Sequence, residues 1–444
     1  MAYKVFFDGP NTYNPLITFH YKGANPNLID YLIQFINEES ARLQEVFVAL
    51  YIFNNKYLYQ QLKSLARQGV KINVISIPLE GYDTKNAKTL IQDDFEQPVY
   101  NTPQSKLSLA TEIYEDILIS DLPNFHMYFF PHVFVRSSKV RPFSRGVLPY
   151  SLHIKSFYFK KKNGRTALAL TSSNLAVRDQ TKFENLIIVD GKKGPMASEQ
   201  FFRDLMGQSI PIHRFDLSAD YNSYPITIKP KIHNAFNQFS APFYENSNTE
   251  IEHFVMERMN AATNKVYCIA QHLSAFKYRI PKEASTDTNS TEEKDGVLVA
   301  LIKAAKRGLE VKCLSQTYIN AEGNPIEGAT APSNTHQFKR FIKVYKELYS
   351  AEYAVNDKIH SKYIIIDNEL LVLTFNLTAS QFMYLPEVEI DRFDHLPGAS
   401  YKGIHSEVGQ LLHIKDPDVV EQYVQNFNSI WEDGTTIKVQ SAKT

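Results

Sequence analysis

The chain contains one sequence unit twice, and that repetition confines it to folds assembled from two like halves. One copy joins His153-Ile154-Lys155 to Thr171-Ser172-Ser173-Asn174; the other joins His360-Ser361-Lys362 to Leu373-Thr374-Phe375-Asn376. In both, an HxK triplet opens an apolar strand, a short polar turn reverses the chain, and the returning strand ends in Asn. The likeness extends upstream. Val46-Phe47-Val48-Ala49-Leu50-Tyr51-Ile52 is an apolar strand, followed by a helix-like stretch to Arg67-Gln68-Gly69 and the strand Val70 to Val74. Lys265 to His272, Leu298 to Lys306, Arg307-Gly308 and Leu309 to Cys313 repeat that order. Strands alternating with helices specify α/β layers.

Length agrees with this division. At about 150 residues per domain, 444 residues make two or three units, and the repeat selects two. Residues 1–207 form the first half and 232–444 the second. Residues 208–231, with several prolines and no clear periodicity, connect them. A content of 43% hydrophobic and 22% charged residues suffices for a core in each half. No apolar run approaches the ~20 residues that span a bilayer, and Met1 to Asp8 lacks the apolar region of a secretory signal, so a cytoplasmic protein is expected. Cys268 and Cys313 fall in strands expected to be buried, which argues against a disulfide framework. The histidines form no metal-ligand spacing, so neither a metal nor another cofactor is expected.

The chemistry follows from residue type and alternation. In HxK on a strand, His and Lys share a face, so a basic imidazole and a fixed cation converge on one point. An anion belongs there. Two opposed copies supply two imidazoles, two ammoniums and two amides around one centre, which suits displacement at a phosphodiester. A neutral imidazole attacks and a protonated one donates, so two histidines divide the labour without a metal.

These residues resemble the phospholipase D superfamily, whose pattern is HxK, four residues, Asp, then a Gly-Ser-x-Asn-like segment. His360 to Asp367 matches HxKxxxxD, and Asn376 follows. In the first copy Lys160 stands where Asp is expected, and the turn is lengthened by Lys161-Lys162-Asn163-Gly164-Arg165; its ending resembles tyrosyl-DNA phosphodiesterases, which lack that Asp. Thr171 and Leu373 replace the family Gly, and Thr374 replaces Ser. The resemblance implies an α/β protein of two phospholipase D-like repeats, each a mixed sheet flanked by helices, packed about a pseudo-twofold axis. It implies His153 as nucleophile and His360 as acid, with the reverse division open. Lys155, Lys362, Asn174 and Asn376 would hold the nonbridging oxygens, supported by Ser172, Thr374 and Asp367. Glu184 and Glu407 would orient the imidazoles, with Glu387 a rival to Glu407.

Substrate is the least legible property. Lys and Arg total 48, balanced by 48 Asp and Glu, so bulk charge gives no reason to expect nucleic acid. A local patch would be needed, and Lys160, Lys161, Lys162 and Arg165, with Lys192 and Lys193 beyond, could neutralise flanking phosphates or merely form a solvated hairpin tip. Residues 80–145 are a place for selectivity, and Pro281 to Asp295 reads as a polar loop. A segment with helical spacing from Val419 to Trp431 is expected to pack on the second half. The leading expectation is a metal-independent nuclease acting on DNA or RNA through a phosphohistidine. A phospholipase D or phosphatidyl transferase is the alternative, and a catalytically weakened scaffold protein a second. A protein partner or homodimer stays open.

Overall fold

Val46-Phe47-Val48-Ala49 and Val266-Tyr267-Cys268-Ile269 are apolar without alternation, as strands covered on both faces must be, and each lies inside a mixed eight-stranded sheet. The computed structural model describes residues 1–10, 27–77, 106–132, 151–175, 182–191, 196–215, 226–230, 232, 234–273, 278–281, 291–294, 296–316, 351–377, 379–382 and 407–439. The first sheet contains β1 (Ala2–Asp8), β2 (Leu43–Ala49), β3 (Lys71–Ser76), β4 (Phe125–Phe129), β5 (Ser156–Lys161), β6 (Thr166–Thr171), β7 (Glu184–Asp190) and β8 (Ile210–Pro211). The second contains β9 (Asn237–Ser240), β10 (Lys265–Ala270), β13 (Glu310–Ser315), β14 (Glu352–Val355), β15 (Tyr363–Ile366), β16 (Glu369–Leu373), β17 (Gly409–Ile414) and β18 (Ile437–Val439), with β11 (Tyr278–Pro281) and β12 (Thr291–Lys294) forming a separate pair.

The sheets have one topology. The first runs β1-β7-β6-β5-β2-β3-β4-β8 and the second β9-β17-β16-β15-β10-β13-β14-β18. Parallel pairing is confined to β2, β3 and β4 and to their counterparts β10, β13 and β14. Helices occupy matching places: α1 (Leu28–Glu39) and α5 (Ser247–Ala261) before the first parallel strand, α2 (Lys56–Arg67) and α6 (Val297–Lys306) after it, α4 (Met196–Gly207) and α7 (Pro417–Trp431) after β7 and β17. Another, α3 (Lys106–Ser120), precedes β4. Gly69 (φ 88°) and Gly308 (φ 85°) end α2 and α6 in the left-handed conformation that glycine adopts most readily. The repeat read from the sequence is therefore a repeat of structure.

The halves exchange helices. Phe201 of α4 stacks on Phe239 of β9, with ring centroids 4.0 Å apart. In the matching place, Tyr423 of α7 meets Phe7 of β1 edge-on at 5.0 Å. Asp416 and Pro417 start α7, the Asp416 carboxylate accepting from Val419 N. The buried face of α7 joins Leu168, Leu170, Ile187 and Val189 of the first sheet to Tyr363, Ile365, Leu370 and Val372 of the second in one apolar cluster. The sequence expectation that this helix packs on the second half captures only part of its role.

Two further stretches carry strands within the ranges read as connector and loop. Within the range 208–231 read as a connector, β8 pairs with β4 and closes the first sheet as β18 closes the second. Pro281 pairs with Thr291 in the β11–β12 ladder, within the stretch from Pro281 to Asp295 read as a loop. Cys268 and Cys313 are buried neighbours on β10 and β13. Lys192, Lys193 and Glu387 lie outside the described residues. Among the described residues no helix is long and apolar enough to cross a membrane.

Tyr423 is fully buried between Phe7 and Tyr363, and its hydroxyl accepts from Asn185 Nδ2 at 3.3 Å. Tyr423→Ala should lower unfolding free energy by about 3–5 kcal/mol. Tyr423→Phe should cost about 1 kcal/mol. Urea denaturation of the three proteins checks both values.

Candidate active site

Each HxK triplet is held by the backbone of the opposite half. His360 N and Ser361 N donate to Phe183 O at 3.1 and 2.8 Å, and Phe183 N donates to Lys358 O at 2.9 Å. In the mirrored arrangement His153 N donates to Val408 O at 3.0 Å, and Val408 N donates to Ser151 O. These contacts are short parallel bridges, Phe183 with Ile359 and Val408 with Leu152. The two triplets are thereby drawn into one region by main-chain bonds.

The side chains cross in the same way. Glu184 Oε1 contacts His360 Nδ1, and Glu407 Oε2 lies 3.2 Å from His153 Nδ1. Each glutamate starts or precedes the strand after its own half's Asn and serves the other half's imidazole. Lys155 and Lys362 are completely buried, and each ammonium donates to the carbonyl of the His in its own triplet. Burying an ammonium costs several kcal/mol in general unless hydrogen bonds or counter-charges compensate. Burial, then the charges of Lys362, Lys182, Lys155 and His153, push the His360 imidazole well below its ordinary pKa. Charges from both halves thus bear on one ring, and such a cluster is complementary to an anion.

The crossing is not symmetric. Matching the two bridges aligns Phe183 with Val408, so the counterpart of Glu184 is Gly409 and the counterpart of Glu407 is Lys182. A Cβ at Gly409 would sit 2.5 Å from the Phe375 ring, so a glutamate there would displace that ring. Ser172 Oγ donates to Glu184 Oε2 and accepts from Asn185 N at 2.9 Å. Its counterpart Thr374 Oγ1 accepts from Gln410 N at 2.9 Å and faces Gln410 O rather than a glutamate. The His360 side chain is 5% exposed and that of His153 21%.

The remaining candidates divide by position. Asn376, 6% exposed, accepts through Oδ1 from His272 N at 3.2 Å, and Asn174 follows Ser173 at the end of the first cassette. His272 therefore touches the candidate site residue Asn376 through its backbone N–H. Asp367 lies at the far end of β15, in the turn to β16, where its carboxylate accepts from the backbone N–H groups of Thr263, Asn264 and Lys265 at 2.8–2.9 Å. Partial burial opposes its ionisation, but these donors hold its pKa below the ordinary value. Its support is structural and remote.

The basic turn is not brought to the histidines. Lys160 lies roughly 16 Å along the strand from Lys155 at the usual rise per residue. Lys160 pairs with Glu199 at 2.9 Å, Lys161 with Asp190 at 2.8 Å and Glu39 at 3.1 Å, and Arg165 with Asp190 at 3.4 Å. Lys162 donates to Ala41 O at 2.9 Å. Residues that sequence reasoning passed over lie closer. The Tyr51 ring meets His153 edge-on at 6.2 Å, Gln271 holds the matching place in the second half, donating to Gln316 Oε1 at 2.9 Å, and Lys182 acts on His360. Only the register across the halves reveals Lys182. Among the described residues no group of three or more His, Cys, Asp or Glu side chains is placed to hold a metal ion.

No protein-family model and no curated protein sequence matches the chain. Among solved structures it is similar to phosphatidylserine synthase from Haemophilus influenzae Rd KW20, at 12% identity and TM-score 0.54, over 92% of this chain and 85% of that one. It is similar to yeast tyrosyl-DNA phosphodiesterase at 10% identity and TM-score 0.40, over 84% and 83% of the two chains. Polyphosphate kinase from Porphyromonas gingivalis matches at 10% identity and TM-score 0.49, and this chain spans 50% of its length.

Asp8 lies directly across the β1–β7 ladder from Glu184. Burial raises its pKa to about 7, the Leu28 N–H that it accepts opposing this and Asp30 adding to it. Because the unfolded carboxyl titrates near 4, the folded chain holds a proton that the unfolded chain has lost between about pH 4 and 7. Stability should therefore fall as pH rises through that window, with the loss complete above it. Asp8→Asn should remove the slope, gaining about 2–3 kcal/mol on the wild type between pH 5 and 8; denaturation at a series of pH values measures it.

Proposed function

We propose that this chain, with the fold it shares with phosphatidylserine synthase and its paired HxK motifs resembling the phospholipase D superfamily, is a phosphodiesterase that cleaves nucleic acid through a phosphohistidine, without a metal. The observation that carries the reading is the crossed pair of carboxylate–imidazole contacts, His360 with Glu184 and His153 with Glu407, above two buried lysines. One imidazole attacks phosphorus while the other protonates the departing oxygen, and water then releases the phosphoryl group by the reverse sequence. Lys155, Lys362, Asn174 and Asn376 would stabilise the nonbridging oxygens as charge builds. The glutamates would fix the ring tautomers through Nδ1.

Nucleic acid is favoured by what flanks the histidines. Tyr51 places an aromatic ring beside His153, and Lys182 adds a cation on the His360 side. A ring can stack on a base and a cation can meet a neighbouring phosphate. The paired lysines of the β5–β6 turn take no part in this reading.

Single-stranded DNA, duplex DNA, RNA and phosphatidylcholine, each incubated with the protein in excess chelator, test the proposal. Cleavage of a nucleic acid is expected, with Lys155→Met and Lys362→Met each lowering kcat/KM by about 10²- to 10³-fold. Turnover of phosphatidylcholine alone would move the assignment to a lipid phosphodiesterase. Activity lost in chelator and restored by a divalent ion would refute the metal-free mechanism. Failure to cleave any of the four would leave a binding protein.

A further inference from the structure

We propose that the histidines divide the work against chain order: His360 attacks phosphorus and His153 carries the proton, with Lys182 the positioning residue that enforces the division. This rests on the phosphohistidine reading above. It opposes the assignment implied by family resemblance, and its basis is the asymmetry of the two crossings.

An attacking imidazole needs its lone pair aimed at phosphorus and its ring fixed throughout. His360 meets both needs. Glu184 engages its Nδ1 through one oxygen, while the other oxygen takes a hydrogen bond from Ser172, itself fixed by Asn185 N. With Nδ1–H directed to Glu184, Nε2 presents the lone pair. When Nε2 bonds to phosphorus the ring gains positive charge, and the adjoining carboxylate stabilises it.

A proton carrier has different needs. It must be charged when the first step begins, discharge onto the leaving oxygen, and then accept a proton from the attacking water. That cycle requires contact with solvent. The His153 side chain is 21% exposed against 5% for His360, and its carboxylate Glu407 lies 3.2 Å away.

Lys182 separates the two environments. It holds the backbone place that Glu407 holds in the other half, so a cation faces one imidazole where an anion faces the other. The charged groups around His360 are Glu184 and Lys182 at β7, Lys362 beside β15, and Lys155 and His153 from the first triplet. Their balance, with burial, favours the unprotonated ring.

Atoms and protons balance. In the first step the P–N bond to His360 Nε2 forms, the P–O bond to the leaving group breaks, and His153 Nε2–H gives its proton to the departing oxygen. In the second, water attacks phosphorus, its proton passes to His153 Nε2, and the P–N bond breaks. The net reaction is hydrolysis.

Wild-type protein is mixed with thymidine 5′-(p-nitrophenyl phosphate), quenched in alkaline denaturant and mapped by mass spectrometry. The nucleotidyl group should be found on the peptide bearing His360. His153→Ala should accumulate that adduct, and His360→Ala should form none. In Lys182→Met the acidic limb of kcat/KM should move up by about one pH unit, because removing a like charge lets His360 protonate more readily. Lys182→Arg should restore the limb. Adduct on the His153 peptide overturns the division of roles, and an unmoved limb overturns the part assigned to Lys182. Turnover with neither histidine ever labelled overturns the covalent mechanism itself, a failure distinct from labelling of the other histidine.

Discussion

Each histidine of the site is held by a carboxylate and a main-chain carbonyl that belong to the other half of the chain, and the architecture is arranged around that exchange. A strand end carrying HxK has unpaired backbone groups, and here they bond across the pseudo-twofold axis to Phe183 and Val408. Because such groups are costly to bury without partners, the two halves must dock in one register. The same register brings two ammoniums, two imidazoles and two carboxylates together. The candidate site and the docking of the halves rest on the same bonds.

Helix exchange packs the two halves together in this register. Phe201 of α4 lies on β9 and Tyr423 of α7 lies against β1, so each half is covered partly by the other. Asn185, one residue beyond Glu184, donates its side chain to Tyr423 and its N–H to Ser172. The apolar contact between halves is thereby connected within a few residues to the hydroxyl that fixes Glu184. A strained or shifted α7 would be felt at His360.

The repeat supplies both halves of the candidate site, and the two copies are unequal around it. Gly409 stands where a second copy of Glu184 would be, with the Phe375 ring in that space, and Glu407 approaches His153 from the other side of the bridge. One imidazole is consequently buried and clamped, the other partly open.

The sequence by itself determined the repeat, the α/β class and the candidate residues His153, Lys155, His360 and Lys362, because alternation and apolar runs are local properties and HxK places its two side chains on one face wherever the strand lies. It also singled out Glu184, and Glu407 beside its rival Glu387, as candidate partners of the imidazoles. Tertiary structure decided which glutamate serves which histidine, because that pairing crosses the axis between segments separated by 176 residues in one case. It decided that Lys160, Lys161 and Arg165 form ion pairs at the far end of β5, with acids from α1, β7 and α4, and that Lys162 donates to the Ala41 carbonyl. It brought in Lys182 and Tyr51, which no spacing marks. Electrostatics and burial at a point are sums over everything folded around it, and a linear pattern carries only the part of that sum contributed by neighbours in the chain.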